Sequence, residues 1–320
     1  MQVTGLKGIL RLALGGSLWA STLAGCGEYV AYNEDPTGQV AVRTPGAGDL
    51  DAATRARYAA LTTLDHLLFE AILGRHVYGD GLQTAVDYPG LAADEEARLL
   101  LDQYLAILDL VDPAKLASTA ERQAYWFNAY NAAVLRGVLE FWGDDPTWSV
   151  SEQAFLFFDQ PIWSFGGVVL TLNQVEHGVL RGVFDHPSLN IADTPTRAAI
   201  RAAHTDVWGE EEPDPRLHVA LNCASLSCPN LAGTTPRAFR AATLDTQLDA
   251  LTAAFLASPT KGAGPRGISA LFSWYRPDFD RHGYRGPEDF ISRHRESGLA
   301  GVEAGSTLTY DWSLNLWTGE

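Results

Sequence analysis

The chain has 320 residues, of which 46% are hydrophobic and 19% are charged, and its formal net charge is -16. This composition is typical of a globular protein and excludes a disordered or linker protein. The acidic excess disfavours a broad basic surface for nucleic acid or anionic lipid, so we expect no nucleic-acid partner. Beyond the N-terminus, no run of about 18 apolar residues predicts a membrane span.

The first 25 residues have the pattern of a secretory signal peptide. Lys7 and Arg11 precede a short apolar run at residues 12–20, and small residues lead to Cys26. The sequence Leu-Ala-Gly-Cys resembles the bacterial lipobox, which implies cleavage before Cys26 and a diacylglycerol on its thiol. The alternative is an ordinary signal peptide with an incidental cysteine. Because Gly27 rather than Asp follows Cys26, we predict a lipid anchor in the outer membrane, facing the periplasm or the exterior.

The mature chain divides into a tether and one domain. Turn-forming residues dominate positions 26–50 and predict a flexible tether, whereas residues 51–320 predict a single domain. Apolar spacings of three and four predict a helix from Asp51 to Gly74 and a second over 93–110. Ser118 and Glu121 form a capping-box pair that predicts a buried, aromatic-rich third helix ending near Trp142.

In the second half of the domain, the spacing of apolar residues changes and strand patterns appear. Residues 168–170 predict a strand, and a further capping box at 171–174 predicts a helix through Arg181. The alternating segment 216–223 predicts a buried strand, and Pro236 starts a predicted helix to about Leu256. Residues 268–274 and 306–310 predict two later strands, separated by a helix at 287–295. The order predicts an α+β fold, with a helix-rich N-terminal half packed on a small, mostly antiparallel sheet.

Several strings resemble the DUF547 family, a domain of unknown function. They are VDY at 86–88, AYWFNAYNA at 124–132, LTLNQVEH at 170–177 followed by LR at 180–181, DPRLHVALNCASLSCP at 214–229 and FSWYRPDF at 272–279. They keep the order of the family and run from about residue 55 to about residue 290. The resemblance implies a fold similar to the papain or transglutaminase-like cysteine hydrolases, which is an analogy at the level of the fold.

Two cysteines remain in the mature domain once Cys26 is set aside. Cys223 lies at the end of the predicted strand, where a substrate carbonyl can approach its thiol. Cys228 precedes Pro229, and a thiol capping a short helix would have its thiolate favoured by the helix dipole. The spacing is also consistent with a structural disulfide in an oxidising compartment and, less favourably, with a metal pair or inert thiols.

Histidine, glutamate and asparagine side chains in the same strings are candidates for the rest of the site. His218 is five residues before Cys223, which puts the two on opposite faces of a regular strand. This spacing favours His177 as the base, with Glu176 orienting it, although the two diverge by about 100° on one helix. Asn128 either lines the site or makes structural hydrogen bonds, as buried amides commonly do.

The function predicted from these residues is a thiol-dependent hydrolase or acyltransferase acting on amide or peptide-like substrates of the envelope. The alternative is a non-catalytic binding or assembly module with a structural disulfide between Cys223 and Cys228. Zinc held by Cys223, Cys228, His177 and His218 is a weaker possibility because their spacing matches no common zinc motif. Nucleotide-binding glycine motifs are missing from the sequence, and we predict no cofactor.

Overall fold

The computed structural model describes residues 51–79, 83–160, 162–191, 193–231 and 237–319. The predicted signal peptide, Cys26, the tether and Pro236 lie outside the described residues. Helices dominate: α1 Ala52–Ala59, α2 Leu67–His76, α3 Tyr88–Ala93, α4 Glu95–Leu110, α5 Thr119–Phe141, α6 Glu152–Phe155, α7 Thr194–Trp208, α8 Leu217–Ala220, α9 Leu244–Ala257, α10 Leu271–Trp274 and α11 Pro287–His294, with a π-helix Gln174–Leu180 before α7. Within the described residues, no helix combines the length and apolarity that a membrane span requires.

The strands form three separate antiparallel pairs. β1 Val77–Gly79 pairs with β2 Thr84–Val86, β3 Trp163–Phe165 with β4 Val168–Leu170, and β5 Ala263–Gly264 with β6 Gly267–Ile268. The mixed helical and antiparallel architecture confirms the predicted α+β class. Where one small sheet was expected, the described residues instead hold three two-stranded pairs.

Helix α5 lies at the centre of the domain, as its sequence predicts. Every residue from 124 to 135 is buried, and the helix packs against α4, α7 and the π-helix. Ser118 caps its first turn by accepting a hydrogen bond from the Glu121 N–H over 3.1 Å. The second predicted capping box is also present, because Thr171 and Gln174 each bond the other's backbone N–H.

The predicted helix from Asp51 to Gly74 is interrupted. It ends at Ala59 and resumes at Leu67, and His66 between them has a left-handed backbone with φ 55°. The imidazole of buried His66 bonds the hydroxyl of Tyr104 over 2.6 Å. A tertiary contact with α4 therefore accompanies a break that the apolar spacing does not reveal.

The predicted strand at 216–223 is wrong. Residues Leu217–Ala220 form the short helix α8, and 221–223 belong to neither a helix nor a strand. Asp214 accepts a hydrogen bond from the Arg216 N–H over 2.9 Å, and Pro215 follows it, so Asp-Pro starts a helical turn. The argument that His218 and Cys223 point to opposite faces of a strand no longer applies.

Other predicted boundaries change for local reasons. Of the predicted strand at 268–274, only Ile268 is in β6, and α10 follows, whereas 306–310 contributes an isolated bridge through Thr307. Helix α9 begins at Leu244 rather than near Pro236. Before it, the N–H groups of Arg237 and Ala238 both bond Glu70 of α2, which holds that segment out of the helix. The short helix predicted at 287–295 is confirmed as α11.

Candidate active site

Residues 221–228, here called the cysteine loop, follow α8 and are held by asparagine side chains. Asn131 of α5 bonds both the Ala220 carbonyl and the Asn222 N–H, at 2.8 and 2.9 Å. Asn222 in turn donates to the Pro229 carbonyl over 2.6 Å and accepts from the Ala224 N–H over 2.9 Å. Ala224 has a left-handed backbone with φ 64°, an unfavourable conformation for a residue with a Cβ. These bonds stabilise the tight turn directly after Cys223.

The two thiols of the loop are buried and in contact. Their sulfur atoms lie 2.9 Å apart, and the Cys223 N–H donates to the Cys228 sulfur, also over 2.9 Å. The hydroxyls of Ser225 and Tyr310 are 3.2 and 3.4 Å from the Cys223 sulfur. Pro229 starts no helix in residues 229–231, so the expected helix cap for Cys228 is wrong within the described part of the chain.

His218 on α8 makes a hydrogen bond to a buried carboxylate that sequence reasoning did not identify. Its Nε2 lies 2.9 Å from Oδ2 of Asp278, and its ring stacks on Tyr275 with centroids 4.1 Å apart. Burial lowers the pKa of His218, with Asp278 opposing the shift, so a neutral imidazole is favoured. Because Nε2–H donates to the carboxylate, Nδ1 is the nitrogen that can accept a proton.

Asp278 connects two cationic or basic partners. The same Oδ2 accepts a hydrogen bond from Nε of Arg181 over 2.6 Å. Burial alone would raise the pKa of Asp278, but the hydrogen bond from His218 and the charge of Arg181 outweigh it and lower the pKa well below its usual range. Asp278 is therefore ionised and fixes the orientation of the His218 ring.

Glu176 on the π-helix is held by two phenols. Its Oε1 accepts from Tyr275 over 2.7 Å and its Oε2 from Tyr130 over 3.1 Å. Burial raises the pKa of Glu176 to about 7, and the hydrogen bond from Tyr275 and the charge of Arg181 only partly oppose this. A carboxyl group that titrates near neutrality is a common feature of functional sites.

The His177 side chain contacts a different set of residues from Glu176. Its Nδ1 accepts a hydrogen bond from Arg181 over 2.7 Å, and its ring stacks on His186 with centroids 3.8 Å apart. Nδ1 also lies 3.9 Å from Oε1 of Glu176. Burial, followed by the charge of Arg181, lowers the pKa of His177 well below its usual value. Nε2 has no hydrogen-bond partner among the described residues.

A small cavity brings together four of the six candidate residues. It has room for about one water molecule, and its lining is Tyr130, Glu176, His218, Leu221, Cys223, Cys228, Pro229, Leu271 and Tyr275. His177 and Asn128 do not belong to this lining. Cys223 and an imidazole already oriented by a carboxylate thus face the same small space.

Asn128 makes structural hydrogen bonds. Its amide bonds both the carbonyl and the N–H of Phe239, at 2.8 and 2.9 Å, and connects α5 to the segment before α9. The four possible zinc ligands form no metal site either, and His177 lies outside the cavity that the other three line. In the described ranges, no group of three or more His, Cys, Asp or Glu side chains has a geometry suited to a metal ion.

Comparison with known families gives one result. Residues 113–256 match DUF547. The matched family is described as a protein of unknown function, and the match covers slightly less than half of the chain. It supports the resemblance seen in the sequence and includes both cysteines, Glu176, His177 and His218. Neither curated proteins nor solved structures give a match, so the likeness to papain-like hydrolases stays a prediction.

Sequence reasoning assigned no role to four side chains of the site, namely Tyr130, Tyr275, Asp278 and Tyr310, and all but Tyr130 lie outside the DUF547 segment. Asp278 and Tyr275 are in the string at 272–279, which contributes to the resemblance but indicates no chemical role. Tyr310 is in a segment whose pattern predicts only a strand. An acidic residue within a recognisable string was the available signal for Asp278, whereas the contact of Tyr310 with Cys223 depends on tertiary folding.

Proposed function

We propose that this protein is a thiol-dependent hydrolase or acyltransferase for amide or peptide-like substrates, with Cys223 as the nucleophile. The observation that carries the proposal is one cavity lined by both Cys223 and a His218 whose Nε2 bonds Asp278 over 2.9 Å. A nucleophile, a base and a group that orients the base are the three parts that covalent catalysis by a thiol requires. His218 replaces His177 as the preferred base because His177 does not line the cavity.

The reaction follows from these roles. Nδ1 of His218 accepts the proton of the Cys223 thiol as the sulfur attacks the substrate carbonyl carbon. The tetrahedral intermediate then breaks its C–N bond, and the protonated His218 gives its proton to the leaving amine. Water or a second amine attacks the resulting thioester, and His218 takes a proton from this nucleophile. The departing Cys223 sulfur is reprotonated by His218, which restores the starting state.

Asp278 supports this cycle in two ways. Its hydrogen bond to Nε2 keeps Nδ1 unprotonated and aimed as an acceptor, and its charge stabilises the imidazolium that forms. Glu176 contributes a proton-holding group in the same cavity. The negative charge of Cys223 adds to the burial that raises the pKa of Glu176, so thiolate formation favours the neutral carboxyl.

A chromogenic ester tests the proposal without knowledge of the natural substrate. The reduced domain is mixed with p-nitrophenyl acetate, and p-nitrophenolate release is followed while mass spectrometry locates the acetyl group. We expect a burst and a thioester on Cys223, both lost in Cys223→Ser. His218→Gln should slow acylation strongly and His177→Gln only slightly. Equal losses in the two histidine variants would contradict the assignment of the base, and acetylation of other residues only would overturn the proposal.

The second candidate is a non-catalytic binding or assembly module with a Cys223–Cys228 disulfide. It is favoured by the 2.9 Å contact between the sulfur atoms and by the burial of both thiols. Native alkylation of protein exported to an oxidising compartment distinguishes the two. Two unlabelled cysteines with a mass lower by two hydrogens indicate the bridged module, whereas rapid labelling of Cys223 supports the hydrolase.

We also propose lipid attachment at Cys26 and residence in the outer membrane, on the basis of the lipobox-like sequence. One lipid chain alone binds membranes weakly, so the diacylglycerol of a lipoprotein supplies the stable anchor. Expression of the full chain with a radiolabelled fatty acid should label the wild type and not Cys26→Ser. Cell fractionation of the same pair should move the variant from the membrane to the soluble envelope fraction. Equal labelling would contradict the proposal.

A further inference from the structure

Two hydroxyl groups contact the Cys223 sulfur in addition to the Cys228 thiol. Ser225 Oγ lies 3.2 Å and Tyr310 OH 3.4 Å from Sγ. The Ser225 hydroxyl donates to the Tyr310 oxygen over 3.0 Å, which leaves the phenol proton directed elsewhere. A hydroxyl carries one proton, so the arrangement is consistent with donation from Ser225 to Tyr310 and from Tyr310 to sulfur.

The segment that carries Tyr310 is fixed to the cysteine loop by backbone hydrogen bonds. The N–H groups of Leu226 and Ser227 bond the carbonyls of Ser313 and Asp311, at 2.8 and 3.1 Å. The Asp311 N–H bonds the Ser227 hydroxyl over 2.8 Å. Residues 310–313 therefore move with the loop, and the distance from the phenol to the sulfur is set by this pairing.

Aromatic packing also holds the Tyr310 ring. The Tyr310 ring lies 4.8 Å from Trp274 and 4.4 Å from Trp312 between ring centroids. Such contacts restrict the rotation of the Tyr310 ring. A phenol that is fixed by packing donates its hydrogen bond at little entropic cost, which is the property expected of a preorganised donor.

We propose that Tyr310, supported by Ser225, is a positioning residue that stabilises the Cys223 thiolate by hydrogen bonding. The role of this thiolate in acyl transfer rests on the proposed function, but its stabilisation is measurable without turnover. The C-terminal segment at 310–313 is then a part of the site that lies beyond the DUF547 match at 113–256.

Other charged and titratable groups also act on this sulfur. Glu176, His218 and Cys228 line the cavity with it, and Lys261 and Tyr88 interact with it electrostatically. The phenols of Tyr130 and Tyr275 in the same lining bond Glu176. Because Tyr310→Phe leaves all of these groups in place, a change in the titration of Cys223 reports the loss of the phenol hydroxyl.

The test is the pH dependence of Cys223 alkylation in the fully reduced mature chain. Iodoacetamide is the probe, and mass spectrometry of peptides separates labelling of Cys223 from that of Cys228. A hydrogen bond to a charged group is strong enough that its loss should raise the midpoint by about one pH unit in Tyr310→Phe. The thiolate fraction below the midpoint then falls about tenfold. Ser225→Ala should raise the midpoint by less, and the double variant by the most.

Tyr284→Phe is the matched control, since its phenol bonds His294 over 2.6 Å and is not part of the cavity lining. The midpoint of Cys223 alkylation in this control should equal that of the wild type. An unchanged midpoint in folded Tyr310→Phe overturns the inference, and if that variant does not fold, an unchanged midpoint in Ser225→Ala does so. A raised midpoint without any acetyl-enzyme would retain the inference and reject the hydrolase.

Discussion

Replacing Asp278 with asparagine removes one negative charge from a buried network while preserving the shape of the side chain. In the wild type, a single oxygen of Asp278 bonds both Arg181 and His218, at 2.6 and 2.9 Å. All three side chains are buried. Asp278→Asn therefore leaves the guanidinium of Arg181 in the interior without its carboxylate.

The expected loss of stability is large. Removing one partner of a buried ion pair typically costs about 3 to 5 kcal/mol, because the remaining charge is desolvated and uncompensated. Arg181 also donates to His177 over 2.7 Å, a neutral acceptor that cannot replace the carboxylate. We expect Asp278→Asn to lower the free energy of unfolding by an amount within that range at pH 7. It should also lower the rate of Cys223 acylation because His218 loses its orienting carboxylate.

Urea denaturation followed by tryptophan fluorescence measures the free energy of unfolding. Asp249→Asn is the matched control, since Asp249 bonds Arg216 over 2.6 Å but is 54% exposed. Exposed pairs contribute little, so the control should fall within about 1 kcal/mol of the wild type. If Asp278→Asn were equally close to the wild type, the buried carboxylate would not be balancing Arg181 and the reasoning would be refuted.

The pH dependence supplies a second check on Asp278. Its pKa is lower in the folded protein than the usual 3.8, so its contribution to stability is fully present above about pH 4. That contribution is lost as the pH falls through the folded pKa, because protonation removes the charge. The difference in stability between the wild type and Asp278→Asn should therefore shrink on acidification below pH 4, and a constant difference would contradict the assignment.

Three further predictions follow from the same region. Burial raises the pKa of Glu176 from 4.5 to about 7. The wild type should therefore lose up to about 3 kcal/mol of unfolding free energy as the pH rises across that window. Glu176→Gln should reduce this pH dependence, as measured by urea denaturation at pH 5 and pH 8. If Glu176→Gln left the pH dependence of stability unchanged, the inference that burial raises the pKa of Glu176 would be contradicted. Asn131→Ala and Asn128→Ala each leave two buried backbone groups without partners and should each cost about 2 to 4 kcal/mol, but Asn131→Ala alone should change the rate of Cys223 alkylation. Equal alkylation in the two variants would show that the cysteine loop does not depend on Asn131. The isolated segment 113–256 should lack a cooperative unfolding transition, because Asp278 and Tyr275 are missing from it, and a sharp urea transition would contradict this.

The sequence predicts well the elements whose signals are local. The capping pair at Ser118 and the reciprocal pair at Thr171 and Gln174 both appear where their spacing places them. Each depends on residues within one helical turn, so tertiary contacts rarely override it. The buried aromatic character of α5 is likewise confirmed, because residues 124–135 are aromatic or aliphatic apart from Asn128 and Asn131.

The sequence predictions fail where two local signals compete, or where a side chain's partner is distant in sequence. The alternation at 216–223 indicates a strand, but Asp214 and Pro215 start a helical turn that includes His218. This error changed the predicted base, since it placed His218 on the face opposite Cys223. Asp278 is 60 residues from His218, and no spacing rule connects them. The sequence therefore predicts Glu176, His218 and both cysteines of the cavity lining, but not the carboxylate that bonds His218.

The charges of the cavity are compatible with the proposed role of the buried Cys223 thiol as a nucleophile. Burial lowers the pKa of His218 and favours the neutral imidazole that can accept a proton, while Asp278 compensates the permanent charge of Arg181. Glu176 titrates at about pH 7, and a thiolate at Cys223 favours its protonated form. Two negative charges in so small a space are mutually unfavourable, so near neutrality the Cys223 thiolate is accompanied by an uncharged Glu176. The same coupling predicts that Glu176→Gln leaves Cys223 alkylation nearly unchanged at pH 6 and raises it at pH 8, where the wild-type carboxylate repels the thiolate.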